Sequence, residues 1–193
     1  MYPVRIQGEI TVLREFTGAD LDGVAAVVGD DRVTRTLSFD SRTRDQAEAM
    51  LEGVLERAWL EPRTEFYLAV TLPGDEDQVL GFARLGLDGV KAAKLGYALT
   101  PGAQGRGYAT DACRALAGFG FGELGLHWVS AAIGPGNEAS VRVVERLGFA
   151  FEGTIRDHVY TNGAWRDSGL YSVLEHEWPG AVSPVHGASG SIS

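Results

Sequence analysis

One segment of the sequence has residue types and spacing that suit the binding of a phosphorylated ligand. A strand-like stretch ends near Leu99, a loop with glycines at Gly105 and Gly107 follows, and an alanine-rich helical stretch begins directly after it. Glycine permits backbone conformations that other residues disfavour, and it lets a ligand approach the main chain closely. The free N–H groups of the loop and the first helical turn then point toward one position, where the helix dipole favours negative charge. The pattern predicts an anion site suited to a pyrophosphate, to which Arg106 could add a charge-assisted contact.

A second segment with candidate site residues lies one predicted strand downstream of the first. Asn137 begins a helical stretch that ends at Leu147 with Gly148 as its stop, and Ser140 lies in the first helical turn. Both polar residues also have a structural interpretation. Asparagine is a good N-cap, and a serine in a first turn can satisfy backbone groups.

Hydrophobic periodicity and turn residues predict the elements that hold these segments in place. Strands are predicted over 4–13, 65–71, 79–87, 94–100 and 127–133, with two more after Phe149 around a turn at 161–163. Helices are predicted over 21–28, 43–59, 107–121 and 137–147. Hairpins in the first half and crossovers in the second predict an α/β fold, a mixed sheet flanked by helices. We expect one domain over 1–178 and a flexible C-terminal tail over 179–193.

Composition limits the possible functions. The net charge of −9 argues against a nucleic-acid partner, which would require clustered Lys and Arg. Cys113 is the single cysteine, and the four histidines lack metal-ligand spacing, so neither a disulfide framework nor a metal site is expected. No apolar run approaches the roughly 18 residues that a membrane span needs, and no export signal is evident. We therefore expect a cytoplasmic protein with no membrane partner.

Both segments resemble one enzyme family. Gln104 to Ala109 (Gln-Gly-Arg-Gly-Tyr-Ala) matches the Gln/Arg-x-x-Gly-x-Gly/Ala signature of the GNAT N-acetyltransferases, and 137–149 looks like their Asn-x-x-Ser…Leu-Gly-Phe helix. The ending, from Arg156 through Trp178, is similar to the RimJ/RimL-like branch, which includes ribosomal-protein N-terminal acetyltransferases. The resemblance covers roughly residues 5–178. It implies a mostly antiparallel mixed sheet of about seven strands with four helices, splayed between the fourth and fifth strands.

The resemblance also implies an activity and a binding site. Such an enzyme transfers the acetyl group of acetyl-CoA to an amine, by direct attack in a ternary complex. The acceptor is a small-molecule amine or the α-amino group of a protein or peptide, and a homodimer is plausible. By position, the residues implied to bind acetyl-CoA are Tyr97, Ala98, Leu99, Gln104, Gly105, Arg106, Gly107, Tyr108, Ala109, Thr110 and Asn137.

The catalytic groups are less fully specified. Many family members place a tyrosine where this chain has Val144, so the resemblance to the RimJ/RimL-like branch assigns the leaving thiolate to Ser140 instead. The branch's carboxylate base falls near Val159, which cannot act as a base. His158 is the candidate, because histidine titrates in the useful range. Asp157 and His158 are neighbours on a predicted strand and face opposite ways, so at most one of them points into the site, and an exposed strand histidine is the alternative interpretation. Water could also carry the proton from an amine of modest pKa. Cys113 is interpreted as a buried structural thiol rather than a nucleophile.

Two alternatives stay open on the sequence alone. The donor could be a larger acyl-CoA such as succinyl-CoA, or the chain could be a CoA-binding sensor without catalysis. By resemblance to the fold, the acceptor is selected by residues 29–44 and by the turn near Asn162.

Overall fold

The computed structural model describes residues 2–179. Apart from Pro179, the predicted tail lies outside the described residues. The strands are β1 (Arg5–Gln7), β2 (Val12–Glu15), β3 (Glu65–Thr71), β4 (Gly81–Leu87), β5 (Ala92–Leu99), β6 (Trp128–Ile133), β7 (Ala150–Thr161) and β8 (Ala164–Leu174). The α-helices are α1 (Leu21–Val28), α2 (Asp31–Thr34), α3 (Arg44–Ala58), α4 (Tyr108–Gly122) and α5 (Glu138–Arg146).

The strands form one sheet in the order β1-β2-β3-β4-β5-β6-β8-β7. Neighbours are antiparallel except β5 and β6, which are parallel. The α/β fold with a mostly antiparallel mixed sheet is therefore as predicted.

The numbers of strands and helices differ from the prediction of about seven and four. The expected first strand is interrupted after Gln7, because the amides of Glu9, Ile10 and Thr11 donate to the carboxylate of Asp111 rather than to a neighbouring strand. The additional helix is α2, a single turn capped by Asp30, whose carboxylate accepts from the Arg32 amide. The described residues thus contain eight strands and five α-helices.

Two apolar clusters fix the helices on opposite faces of the sheet. Helices α4 and α5 cover one face through a cluster that includes Leu116, Val129 and Val144. Helices α1 and α3 cover the other face, with Val27 and Leu51 in their cluster. Alternation along β5 assigns its residues to these faces, since Leu95, Tyr97 and Leu99 pack with the first cluster and Ala98 with the second.

The sheet splays between β5 and β6. Only the first three residues of β5 pair with β6, as Ala92 with Trp128, Ala93 with Val129, and Lys94 with Ser130. On its other side β5 is paired with β4 along most of its length, from Ala93 to Leu99. The second half of β5 therefore has free backbone groups facing the gap, as the resemblance implied for the fourth and fifth predicted strands.

Candidate active site

The glycine-rich loop has the backbone geometry that its sequence predicts. Gly105 and Gly107 have positive φ angles of 76° and 84°, and Gly107 is the N-cap of α4. A Cβ on Gly105 would meet no atom within 4 Å, and one on Gly107 would meet only the Cδ1 of Ile10, at 3.7 Å. The Gln104 side chain donates to the Leu99 carbonyl oxygen at 3.1 Å, which ties the loop to the end of β5. The loop is thus held open beside the helix N-terminus.

Asp111 anchors the first turn of α4 to the turn between β1 and β2. Its carboxylate accepts hydrogen bonds from three backbone amides (Glu9, Ile10 and Thr11) and from the Thr11 hydroxyl, at 2.7–3.0 Å. Burial alone would raise the pKa of this carboxyl, but the four hydrogen bonds lower it overall. This anchor was not predictable from the sequence, because the partners are about a hundred residues apart.

A cavity of about 590 Å³ lies where the gap in the sheet meets the loop and α5. Eleven of the thirteen residues predicted for the site line it: Tyr97, Ala98, Leu99, Gln104, Gly105, Gly107, Tyr108, Ala109, Thr110, Asn137 and Ser140. Arg106 belongs to the loop but is not among the lining residues, and neither is His158.

Several lining residues were not predicted as site residues. Helix α5 contributes Arg142 and Arg146, one turn apart, together with Glu138. The spacing of four residues between Glu138, Arg142 and Arg146 is a signal that could have identified them, because it places them on one face of the helix. The α2 region contributes Arg32 and Arg35.

The N-cap of α5 bears on whether Ser140 caps the helix or contributes its hydroxyl to the cavity. The Asn137 side-chain oxygen accepts from the Ser140 amide at 3.1 Å, so asparagine alone caps the helix. The Ser140 hydroxyl is not needed for capping, and Ser140 lines the cavity. Val144, where many relatives have tyrosine, is fully buried. A side chain at that position points into the core, so Ser140 is the hydroxyl that α5 presents to the cavity.

His158 lies in β7 next to an irregularity in the pairing of β7 with β8. The register between β7 and β8 shifts between Ile155 and Val159, and Asp157 there has a positive φ of 47°. The expected alternation of Asp157 and His158 is therefore interrupted by a bulge. His158 is exposed, and its Nδ1 lies 3.0 Å from the hydroxyl oxygen of Ser168.

Cys113 is completely buried in α4, and burial raises the pKa of its thiol. A thiol of this kind is a poor nucleophile, because the thiolate is the reactive form. This agrees with the structural interpretation of Cys113.

The two segments expected to select the acceptor lie against each other. The Asn162 amide donates to the Asp40 carboxylate at 2.8 Å, and Arg166 donates to the Arg35 carbonyl oxygen at 2.9 Å. Arg35, Thr36 and Leu37 line the cavity. The region around α2 therefore forms one wall of the cavity and is tied to the β7–β8 hairpin.

Residues 2–179 contain neither a cluster of metal-binding side chains nor a helix that could span a membrane. No cluster of three or more His, Cys, Asp or Glu side chains in that range could hold a metal ion. None of the helices described there has the length and apolar character to cross a membrane.

Comparison with known proteins identifies the family. The family profile described as "Acetyltransferase (GNAT) domain" matches residues 11–150, which include the loop, the splayed strands and α5. The chain belongs to the GNAT acetyltransferase family. GNAT acetyltransferases use acetyl-CoA, and the open glycine loop, the free edge of β5 and the adjoining cavity fit this donor.

Individual relatives support the RimJ/RimL-like branch. YdaF of Bacillus subtilis, a suggested ribosomal N-acetyltransferase, is 42% identical over 90 residues, which are 47% of this chain and 49% of that protein. A ribosomal-protein-S5-alanine acetyltransferase from Vibrio fischeri is 25% identical, with a TM-score of 0.75 over 91% of this chain and 99% of that one. RimJ of Mycobacterium smegmatis, solved with CoA-disulfide, shares the fold with a TM-score of 0.81 at 20% identity, over 93% and 91% of the two chains.

Proposed function

We propose that this GNAT N-acetyltransferase acetylates α-amino groups, such as the N-terminus of a protein or peptide, by direct attack in a ternary complex. The single observation that carries this proposal is the composition of the cavity. Glu138 is the one carboxylate that lines it, and no histidine among residues 2–179 does so. An α-amino group has a pKa near 7.7–8.0 and a lysine-type amine one near 10.4. At neutral pH the neutral fraction of the first is therefore larger by roughly 300-fold, so it has less need of a base.

The chain's own residues are proposed to position the donor and to stabilise charge. Acetyl-CoA supplies the activated acetyl thioester. The loop amides around Gly105 and Gly107 bind its pyrophosphate, and Asn137 contacts the pantetheine arm. Free backbone groups of β5 at Tyr97, Ala98 and Leu99 hold that arm, and an N–H there stabilises the developing oxyanion. The Ser140 hydroxyl donates a hydrogen bond to the sulfur as the carbon–sulfur bond breaks.

The names of two similar proteins favour a protein N-terminus as acceptor. YdaF is named for ribosomal N-acetyltransfer, and the Vibrio fischeri protein is named for acetyl transfer to an alanine of a ribosomal protein. At the wall around α2, Arg35 would suit a peptide with an acidic residue, whereas Arg32 is already paired with the Asp30 carboxylate. A larger acyl donor and a CoA sensor are not favoured by the family match. A homodimer and the role of His158 stay predictions.

The test measures thiol release from acetyl-CoA with two matched peptides. One has a free N-terminal alanine and no lysine, and the other has the same sequence with an acetylated N-terminus and one added lysine. We expect turnover of the first, with a rate that rises with pH and becomes constant above about pH 9, where the α-amino group is almost fully neutral. Equal turnover of the two peptides, or turnover of the second alone, would contradict the proposal. Loss of activity in His158→Ala at unchanged acetyl-CoA affinity would establish a side-chain base.

A further inference from the structure

A buried tyrosine hydroxyl lies beside Ser140. The Tyr97 side chain extends from β5 on the face that α4 and α5 cover. Its hydroxyl oxygen is inaccessible to solvent, and it has no hydrogen bond of normal geometry within residues 2–179. A buried hydroxyl without a partner is destabilising, so it requires an explanation, and a role in catalysis is one such explanation.

The surroundings of this hydroxyl show which group it can act on. Burial raises the pKa of Tyr97, Cys113 raises it further, and a hydrogen-bonding contribution from Ser140 partly offsets these effects. Tyr97 and Ser140 line the same cavity, and Tyr97 packs against the cluster that contains Val143 and Val144 of α5. The two hydroxyls are therefore neighbours, although no hydrogen bond of normal geometry joins them. The phenol keeps its proton at neutral pH, which makes it a donor. Ser140 lines the cavity, whereas the Tyr97 oxygen has no accessible surface of its own.

We propose that Tyr97 is a positioning residue for the leaving thiolate. When the coenzyme is bound, its hydroxyl donates a hydrogen bond to Oγ of Ser140, and the hydrogen of Ser140 is thereby directed into the cavity toward the sulfur. This inference rests on the proposed role of Ser140. It also accounts for Val144, because the phenol that many relatives carry on the helix is supplied here from β5 instead.

The chemistry of this pair balances without a further reactant. When the carbon–sulfur bond breaks, its electron pair stays on sulfur, and the Tyr97–Ser140 pair donates a hydrogen bond to that charge. Neither hydroxyl loses its proton. The amine releases one proton to water and the thiolate takes one from water. Hydrogen bonds in a chain polarise one another, so the phenol strengthens the bond from Ser140 to sulfur.

The experiment measures thiolate binding directly and needs no acceptor. Calorimetric titrations with CoA and with desulfo-CoA, which lacks the sulfur, are made at about pH 9, where a thiol is largely ionised. The ratio of the two affinities isolates contacts to sulfur. We expect this ratio to fall about 10-fold in Ser140→Ala, which removes a hydrogen bond to a charged group. It should fall about 3-fold in Tyr97→Phe, and no further in the double variant than in Ser140→Ala.

Tyr67→Phe is the matched control, since Tyr67 is a buried tyrosine on the opposite face of the sheet. Its ratio should equal that of the wild type. The melting temperature of Tyr97→Phe should be unchanged or higher, because the substitution removes an unpartnered buried hydroxyl. A normal ratio in Tyr97→Phe, or additive losses in the double variant, would overturn the proposed pair. If the wild type binds neither ligand, the proposed function itself fails.

Discussion

Replacing Gly107 by alanine is expected to weaken acetyl-CoA binding far more than it weakens the fold. Gly107 has a φ of 84°, a conformation that costs a residue with a Cβ about 1–2 kcal/mol. The new methyl group would meet only Ile10, at 3.7 Å, so no collision adds to this cost in the free protein. For a domain of this size the melting temperature should fall by roughly 2–8 °C.

The effect on binding has a different origin. Gly107 lines the cavity at the N-terminus of α4, and the methyl group would occupy space that a phosphate needs to reach the loop amides. Each lost hydrogen bond to a charged group costs about 1.5–3 kcal/mol, so the dissociation constant should rise about 10- to 100-fold for one such bond.

Gly89→Ala separates the two effects. Gly89 has a φ of 72°, and a Cβ there would meet no atom within 4 Å. It lies in the turn before β5, at the opposite end of that strand from the loop. We expect a similar loss of melting temperature in both variants and normal acetyl-CoA affinity in Gly89→Ala alone. Calorimetry and thermal unfolding measure both quantities. Normal affinity in Gly107→Ala, at the expected loss of stability, would refute the assignment of the loop as the phosphate site.

Three further outcomes are expected. Glu15→Ala should lower the free energy of unfolding by about 3–5 kcal/mol in denaturant titrations, because it removes the carboxylate that lies 2.6 Å from the buried guanidinium of Arg63. A change below about 1 kcal/mol would show that this ion pair contributes little to stability. Asp111→Asn should destabilise by about 3 kcal/mol at neutral pH. Folding lowers the pKa of Asp111, so its contribution to the free energy of unfolding is present above the unfolded pKa near 3.9. The difference in stability between the variant and the wild type should therefore shrink as the pH falls below about 4. A difference that does not depend on pH would contradict this. Ser140→Ala should lower kcat about 10- to 100-fold in thiol-release assays with unchanged affinity for acetyl-CoA at pH 7, and an unchanged kcat would remove Ser140 from the mechanism.

The sequence was informative where the signal is local. Glycines before a helix predicted the loop, and the helix predicted over 43–59 is α3, with Thr43 as its N-cap and Arg44–Ala58 as its helical residues. Features that depend on distant partners were not predictable. The interruption between β1 and β2 depends on Asp111, and the bulge at Asp157 depends on the pairing of β7 with β8. The Tyr97 hydroxyl was missed because strand alternation gives its face but not its neighbours on α5.

The gap between β5 and β6 has a mechanical consequence. The sheet consists of two panels, β1–β5 and β6–β8, whose strands are joined to each other by three residue pairs. A ligand that fills the gap offers hydrogen-bonding groups to β5 in the place of a neighbouring strand. It therefore adds contacts that hold the two panels together. Part of the binding free energy then resists their separation. Occupancy of the gap by acetyl-CoA and the free energy of unfolding are therefore linked. The stability of the protein should rise with the concentration of acetyl-CoA around it.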